Sequence, residues 1–387
     1  MMTTTLAQDS EARHLLQVYG QLPLDATSAK GVYLHAGKRR IIDFYGGHAV
    51  AALGYAHPDL LAALNKQAKS MYFQSNAVAL EVRARAGDAL AAFAPTGLER
   101  VFFVNSGAEA NENALRVACR ATGRSRVLAV EHGFHGRTAA AAAVTWGAAK
   151  TWYGFPRTPF DVEFIPRDDA ARAGDMINSD TAAVIVELVQ GLAGAYDLDA
   201  GFVLTIAEAC RRSGALLIID EVQSGIGRTG APFAANLYGI TPDMLTTAKA
   251  LGGGFPCSAL LMTEALAGTL RSGDLGTTFG GGPMACALVS TVIDVIRRDR
   301  LMDNVRLLSD EIQRSALVGP VESIQGRGFL LGLRCRRPAR DVQAALLERD
   351  LLVGTSSDPK VVRLLPPLTL EKQHVDTLVN ALSDIGH

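Results

Sequence analysis

The sequence predicts an α/β protein with a large, mostly parallel β-sheet domain and a smaller α+β domain. Short apolar runs rich in Val, Ile, Leu and Phe indicate buried strands. Helical patterns lie between several of these runs, and such alternation is typical of a parallel sheet covered on both faces. At 387 residues, the chain also exceeds the size at which one hydrophobic core stops growing.

Five apolar runs predict the strands of the large sheet: RVFFVN from Arg100, RVLAV from Arg126, AAVIVELVQ from Ala182, ALLIIDEV from Ala215 and SALLMT from Ser258. Helices are predicted from Glu109, from the alanine run at Thr138 and from Phe202, the last ending in a typical Arg-Arg-Ser-Gly signal. The last third differs. A long helix over 285–297 precedes ESIQGRGFLLGLRC, a helix, VVRLLPPLTL and a final helix from Glu371, which is α+β texture.

Composition limits the function classes. The formal net charge of −1 gives no electrostatic footprint for nucleic acid or an anionic membrane, so a small-molecule substrate is expected. Five scattered cysteines without a C-x-x-C pair favour a reducing compartment over a disulfide framework, and no metal site is predicted. No signal-type segment and no apolar stretch of about 18 residues is found, so a cytoplasmic location is expected.

A candidate anion site follows the strand at Arg100. Ser106, Gly107 and Ala108 lead directly into the helix near Glu109. Small residues leave backbone N–H groups free at this point, and the helix dipole favours a phosphate there. Junctions of this kind are also common as purely structural features, so both readings stay open for this segment alone.

Acids follow the strand at Ala215. Asp220 and Glu221 come at its carboxyl end, where open parallel sheets bind ligands, and an acid there can keep a ring nitrogen protonated. The alternative is that Asp220 caps a loop and Glu221 faces solvent. The same segment contains G-x-G-x-x-G from Gly225, but Pro232 follows where a dinucleotide site needs a helix, which disfavours an oxidoreductase.

A lysine completes the set of candidate groups. Lys249 follows a short apolar stretch and precedes three glycines. Its amine is suited to a Schiff base with an aldehyde, although a lone lysine is more often a surface residue.

With LGTTFGGGP from Leu275, these motifs resemble the class III, ornithine-type pyridoxal-phosphate aminotransferases, among which the acetylornithine enzymes are nearest in overall pattern. The resemblance runs from IIDFYGGHAVAALGYAHPDL to VVRLLPPLTL. It implies a fold-type I transferase, with residues 46–292 as the large cofactor-binding domain and residues 1–45 plus 293–387 as the small domain.

The resemblance implies pyridoxal 5'-phosphate as cofactor. Lys249 is then expected to bind its aldehyde and to shuttle a proton as base and acid, and Asp220 to hold its ring nitrogen protonated. Further cofactor contacts are implied for Ser106, Gly107, Ala108, Phe134 and Gln223. Thr278 is implied to complete the phosphate site of a neighbouring subunit, so a homodimer with shared active sites is expected.

Substrate contacts are implied as well. Arg137 matches the residue that clamps the α-carboxylate of the donor, which brings a distal amine to the cofactor, and its planar fork suits that role. Arg363 matches the arginine that receives the α-carboxylate of 2-oxoglutarate or glutamate. Pocket positions are implied for His48, Tyr19 and Glu187, whereas His135 is interpreted as structural.

One departure concerns the family pattern E-P-x-Q-G-E, whose last glutamate covers the second arginine. Leu192 occupies that position here, so Arg363 is hypothesised to pair with the substrate, another carboxylate or solvent. The implied activity is transfer of the ω-amine of an N-acylated ornithine, or a similar ω-amino acid, to 2-oxoglutarate. Alternatives are transfer from ornithine, 4-aminobutyrate or a specialised metabolite, or a racemase or aminomutase reaction on the same fold.

Overall fold

The structure is a computed structural model that describes residues 6–386. Its strands are β1 (Ser28–Lys30), β2 (Tyr33–Ala36), β3 (Arg39–Asp43), β4 (Arg100–Val104), β5 (Arg126–Val130), β6 (Asp161–Ile165), β7 (Thr181–Val186), β8 (Val189–Gln190), β9 (Tyr196–Asp197), β10 (Leu216–Asp220), β11 (Met244–Thr247), β12 (Ser258–Met262), β13 (Val321–Arg327), β14 (Leu330–Cys335), β15 (Leu351–Leu352), β16 (Gly354–Thr355) and β17 (Val361–Leu364).

The helical segments are α1 (Leu6–Glu11), α2 (Gly46–Ala49), α3 (Pro58–Ser70), α4 (Glu81–Ala91), α5 (Gly107–Thr122), α6 (Ala139–Ala143), α7 (Ala148–Thr151), α8 (Ala170–Met176), α9 (Ala200–Ser213), α10 (Ala234–Tyr238), α11 (Glu264–Ala267), α12 (Pro283–Arg298), α13 (Leu301–Ser315), α14 (Ala339–Glu348) and α15 (Lys372–Ile385), with a 3₁₀ turn over Lys249–Gly252. Within residues 6–386, no helix has both the length and the apolar character needed to cross a membrane.

The large sheet has the order β4-β12-β11-β10-β7-β5-β6. Strand β12 runs antiparallel to both of its neighbours, and the β11-β10-β7-β5-β6 pairings are parallel. The prediction of a mostly parallel sheet is therefore confirmed. All five predicted strands are present, and β6 and β11 are additional.

Burial on both faces explains why these strands read as continuous apolar runs. Ile218 packs in one apolar cluster with Val127 and Ile185, whereas its neighbour Ile219 packs in a second cluster with Leu128. Successive strand side chains point to opposite faces, so both faces must be apolar when helices cover both.

The described chain has three smaller sheets: β1-β2-β3-β15, the antiparallel β13-β14-β17-β16 and the two-stranded β8-β9. Buried residues of α12 share one apolar cluster with β14 and β17, so the core runs continuously between this region and the large sheet. The proposed domain boundary at residue 292 falls inside α12. The division into a large domain, 46–292, and a small domain, 1–45 plus 293–387, stays a proposal. Residues 1–5 and 387 of the small domain lie outside the described residues.

Candidate active site

A cavity of about 650 Å³ lies at the carboxyl ends of β4, β10 and β11, a size typical of small-molecule sites. Every predicted site residue except Thr278 lines it: Tyr19, His48, Ser106, Gly107, Ala108, Phe134, Arg137, Glu187, Asp220, Gln223, Lys249 and Arg363. Thr278 is exposed and lies outside this cavity.

The anion cradle is formed where β4 passes into α5. Ser106 caps the helix, its Oγ accepting the N–H of Glu109 at 3.2 Å. A Cβ on Gly107 would lie 2.7 Å from a methyl carbon of Val222, so only glycine allows this close approach. The sixteen-residue helix directs its N-terminal dipole and N–H groups at the cavity, an arrangement that favours a phosphate.

Asp220 is buried at the end of β10 with both carboxylate oxygens held. Oδ2 accepts the Asn111 amide at 2.7 Å and His135 Nδ1 at 2.8 Å, and Oδ1 accepts the Val222 N–H at 2.9 Å. Three donors fix the carboxylate in place. His135, interpreted from the sequence as structural, therefore contacts the predicted acid directly.

Asn111 is a site residue that the sequence interpretation missed. Its amide oxygen accepts Thr246 Oγ1 at 2.6 Å, and its nitrogen donates to Asp220 and to the His135 carbonyl. The signal that points to it is helical spacing. Asn111 lies four residues after Gly107, so it projects from the same face of α5 as the cradle.

Lys249 lies at the cavity with a left-handed backbone, φ 46°, two residues after the end of β11. Burial lowers the pKa of its amine to about 8, and the charges of Asp220 and Glu187 limit the decrease. A lowered pKa leaves more of the amine neutral near pH 7, as a nucleophile or base requires.

These groups fit pyridoxal phosphate chemically. The cradle at α5 suits the phosphate, Asp220 suits a protonated ring nitrogen, and the Lys249 amine suits the aldehyde. The half-buried ring of Phe134 lines the same cavity. Within the described residues, no hydrogen bond or ion pair occupies the Lys249 amine.

Glu187 also lines the cavity, but its carboxylate is already bound by backbone groups. Oε1 accepts the Phe134 N–H at 2.7 Å and Oε2 accepts the Gly191 N–H at 3.1 Å. Burial, together with the charge of Asp220, raises its pKa to about 6. Its assignment to substrate binding stays a prediction.

Glu221 is fully buried, so the alternative that it faces solvent is wrong. Its carboxylate accepts the N–H groups of Ala234 and Ala235, at 3.0 and 2.7 Å, and the Ser224 hydroxyl. These contacts satisfy the first N–H groups of α10. Glu221 therefore fixes the loop after β10, and burial raises its pKa to about 7.

Glu221→Gln is expected to remove a pH dependence of stability. Because the folded pKa of about 7 exceeds the ordinary value of 4.5, the folded state holds the proton more tightly. Stability from this group is complete below pH 4.5 and is lost as pH rises towards 7, with a slope up to about 1.4 kcal/mol per pH unit. Urea unfolding of both proteins across this range measures the difference, and parallel pH curves would contradict the assignment.

Arg137 is exposed at the cavity, and its guanidinium carbon lies 4.4 Å from the ring centroid of Trp152. This stacking orients the guanidinium without neutralising it, so its donors stay available for a carboxylate. Tyr19 lines the same cavity and is 79% exposed, at the outer edge.

Arg363 lies on β17 and is buried, with only 3% of its surface exposed. Its Nε donates to the Thr355 carbonyl at 2.7 Å and its Nη1 to the Gly191 carbonyl at 3.1 Å. Nη2 donates to the Tyr45 hydroxyl at 3.3 Å. Within the described residues, the hydrogen-bond acceptors of Arg363 are uncharged, so its pairing with the substrate, another carboxylate or solvent stays a prediction. Burial lowers its pKa.

Comparisons with known proteins identify the family of the chain. The family described as Aminotransferase class-III matches residues 16–385. The acetylornithine aminotransferase of Methanosarcina acetivorans is 37% identical over 383 residues, covering 97% of this chain and 94% of its own length.

Solved structures of aminotransferases are similar to this fold. An ornithine aminotransferase of Toxoplasma gondii, with pyridoxal phosphate at partial occupancy in its active site, has a TM-score of 0.91 at 26% identity, covering 97% of this chain and 92% of its own. The acetylornithine aminotransferase of Elizabethkingia anophelis has a TM-score of 0.87 at 27% identity, covering 97% of both chains.

Proposed function

The chain belongs to the class-III aminotransferases, which use pyridoxal phosphate, and on this basis we propose that it moves the ω-amino group of an N-acylated ornithine or a similar ω-amino acid to 2-oxoglutarate. The products are a semialdehyde and glutamate. The observation that carries the donor assignment is Arg137. It lies at the cavity that Lys249 lines, stacked on Trp152, ready to hold a donor carboxylate while a distal amine reaches the reacting centre.

The residue roles follow from their chemistry. Pyridoxal phosphate, when bound, supplies an aldehyde that reacts with amines and a ring that accepts electron density. Lys249 Nζ would remove a proton from the substrate carbon that bears the amine and deliver it to the cofactor carbon that carried the aldehyde. Asp220, fixed by Asn111 and His135, holds a proton on the ring nitrogen. Arg363 binds the α-carboxylate of the acceptor.

The absence of a carboxylate partner for Arg363 within the described residues favours a second candidate. A racemase or aminomutase needs no arginine that alternates between free and covered states, because it processes one substrate. The two functions differ in their requirement for an oxo acid. Turnover of the donor that stops without 2-oxoglutarate supports the transaminase, and turnover that continues without it supports the alternative.

Leu192→Glu is expected to shift the donor preference. Leu192 lines the cavity next to Gly191, whose carbonyl accepts from Arg363, so a carboxylate there is placed to pair with this cation. Such a pair competes with the α-carboxylate of glutamate for Arg363. We therefore expect the KM of glutamate to rise about tenfold, while the KM of an ω-amine donor changes little. Leu192→Gln, similar in size but uncharged, is the matched control. An unchanged preference in the Glu variant means that residue 192 does not govern specificity.

We further propose a homodimer with shared sites, which the position of Thr278 outside its own cavity supports. Mixed dimers test it. One subunit carries Lys249→Ala and the other Thr278→Ala, so one site has both defects and the other has neither. Each single-variant homodimer, called a parent here, is expected to be weakly active. The mixed dimer is expected to have about half the wild-type activity. Mixtures no more active than the mean of the parents would contradict the shared site. We also keep the proposal of a cytoplasmic location, because scattered cysteines without a C-x-x-C pair favour a reducing compartment.

A further inference from the structure

Tyr45 connects two residues of the cavity that the sequence does not connect. Its hydroxyl lies 3.3 Å from Arg363 Nη2 and 2.6 Å from His48 Nδ1. An arginine can only donate, so the Tyr45 oxygen accepts from Arg363 and its one proton is free for His48. Burial, followed by the charges of Arg363 and Lys249, lowers the pKa of His48, which keeps Nδ1 available as an acceptor.

The backbone fixes both rings in this arrangement. Residues 46–49 all have positive φ, between 54° and 69°, and for His48 and Ala49 this conformation costs about 1 kcal/mol or more each. Asp43 Oδ1 accepts the N–H groups of Tyr45 and Gly46 at 2.7 and 2.9 Å, which holds the turn in place. The strained turn is thus maintained where it presents His48 to the cavity.

The other side of the Tyr45 ring rests on Gly354. A Cβ at that position would lie 2.1 Å from the ring, so the contact requires glycine. Gly354 pairs with Arg363 between β16 and β17, which brings the tyrosine and the arginine together through the sheet register. The position of Tyr45 is therefore set by the same strands that set Arg363.

The acceptors around Arg363 are all uncharged. The carbonyls of Thr355 and Gly191, the Tyr45 hydroxyl and, at 3.5 Å, Gln223 Oε1 surround a buried guanidinium. A buried cation with neutral partners gains a large favourable interaction free energy when an anionic ligand binds, because no internal acid has to be displaced first.

We propose that the Tyr45–His48 pair is the positioning device that holds Arg363 permanently as a carboxylate site for a five-carbon dicarboxylate. The Tyr45 hydroxyl orients the guanidinium without pairing it with a carboxylate, and His48 directs the hydroxyl proton away from the arginine. The affinity for the acceptor and for its unreactive analogues then depends on the Tyr45 hydroxyl. The inference rests on the proposed function, since it specifies the recognition of the dicarboxylate acceptor.

The test is glutarate binding to the holoenzyme by calorimetry, together with steady-state kinetics. For Tyr45→Phe, which keeps the ring, we expect the glutarate Kd and the 2-oxoglutarate KM to rise about tenfold, with kcat within about twofold. His48→Ala is expected to act in the same direction. His48→Asn retains an acceptor and tolerates positive φ, so it is expected to restore binding to within about threefold of wild type.

Tyr33→Phe is the matched control, because the Tyr33 hydroxyl contacts His374 Nε2 at 2.8 Å in a second tyrosine–histidine pair outside this cavity. It should leave the glutarate Kd unchanged, whereas Arg363→Lys should abolish binding. An unchanged Kd in Tyr45→Phe, or retained binding in Arg363→Lys, overturns the proposal. Weaker glutarate binding in Tyr45→Phe with no transamination by the wild type would instead leave this inference standing and remove the proposed function.

Discussion

Lys249→Ala is expected to lower kcat by at least about 10⁴-fold, the upper end of the contribution of a positioned acid–base group. The variant loses the amine that binds the cofactor aldehyde and the base that moves the proton. Burial lowers the pKa of this amine to about 8, which leaves more of it neutral near pH 7, and no hydrogen bond or ion pair in the described part of the chain occupies it. The measurement is the rate at saturating donor and acceptor, with borohydride reduction as a second readout. Reduction is expected to fix the cofactor on the wild type and not on the variant.

Two controls separate chemistry from charge and folding. Lys249→Arg keeps a cation but cannot form a Schiff base, so we expect a loss similar to that of the alanine variant. Lys66→Ala removes an exposed lysine of α3 and is expected to change nothing. An arginine variant that retained more than about a tenth of the activity would show that Lys249 acts only through its charge.

Asp220→Asn is expected to lower kcat by about 10²–10³-fold, the range found when a positioned electrostatic group is removed. The amide is nearly isosteric but carries no negative charge, so it cannot hold a proton on the ring nitrogen. It also presents an N–H group where Asn111 and His135 already donate. We expect the variant to bind the cofactor and to fail in the proton-transfer step.

Asp243→Asn is the matched control for this prediction. Asp243 also serves β10, accepting the Leu217 N–H at 2.8 Å, but it lies outside the cavity. Its substitution is expected to affect stability more than kcat. If both variants lost activity in proportion to their stability, Asp220 would have only a structural role.

Much of the fold follows from local patterns. The five apolar runs became strands, and likeness to solved aminotransferases confirms the fold-type I architecture. The missed strands have weaker signals. β6 alternates charged and apolar residues in Asp161–Ile165, as suits a sheet edge, and β11 is four residues long with two threonines. Neither forms the continuous apolar run by which a buried strand is recognised.

The site was predictable where one short motif carries one chemical role. The cradle and Lys249 follow strands and Asp220 ends one, and strand ends meet at one edge of a parallel sheet. Partners separated in the chain were not predictable. Asn111 reaches Asp220 across 109 positions, and Tyr45 reaches Arg363 across 318.

The surroundings of Arg363 illustrate the same limit. The sequence indicated that the expected glutamate is missing at residue 192, but it could not indicate what replaces its interaction. Backbone carbonyls of Gly191 and Thr355 do so in part, and a carbonyl carries no sequence signature. The position of the Thr355 carbonyl depends on the register of β16 on β17, which only the folded sheet defines.

The most direct test of ω-amine transfer is a single-turnover titration of the purified holoenzyme with N2-acetylornithine in the absence of any oxo acid. We expect the absorbance band of the bound cofactor to be lost in proportion to the donor added, and 2-oxoglutarate to restore it with release of one glutamate per site. A band that persists in the presence of donor, or a loss that 2-oxoglutarate does not reverse, would contradict transfer of the ω-amine.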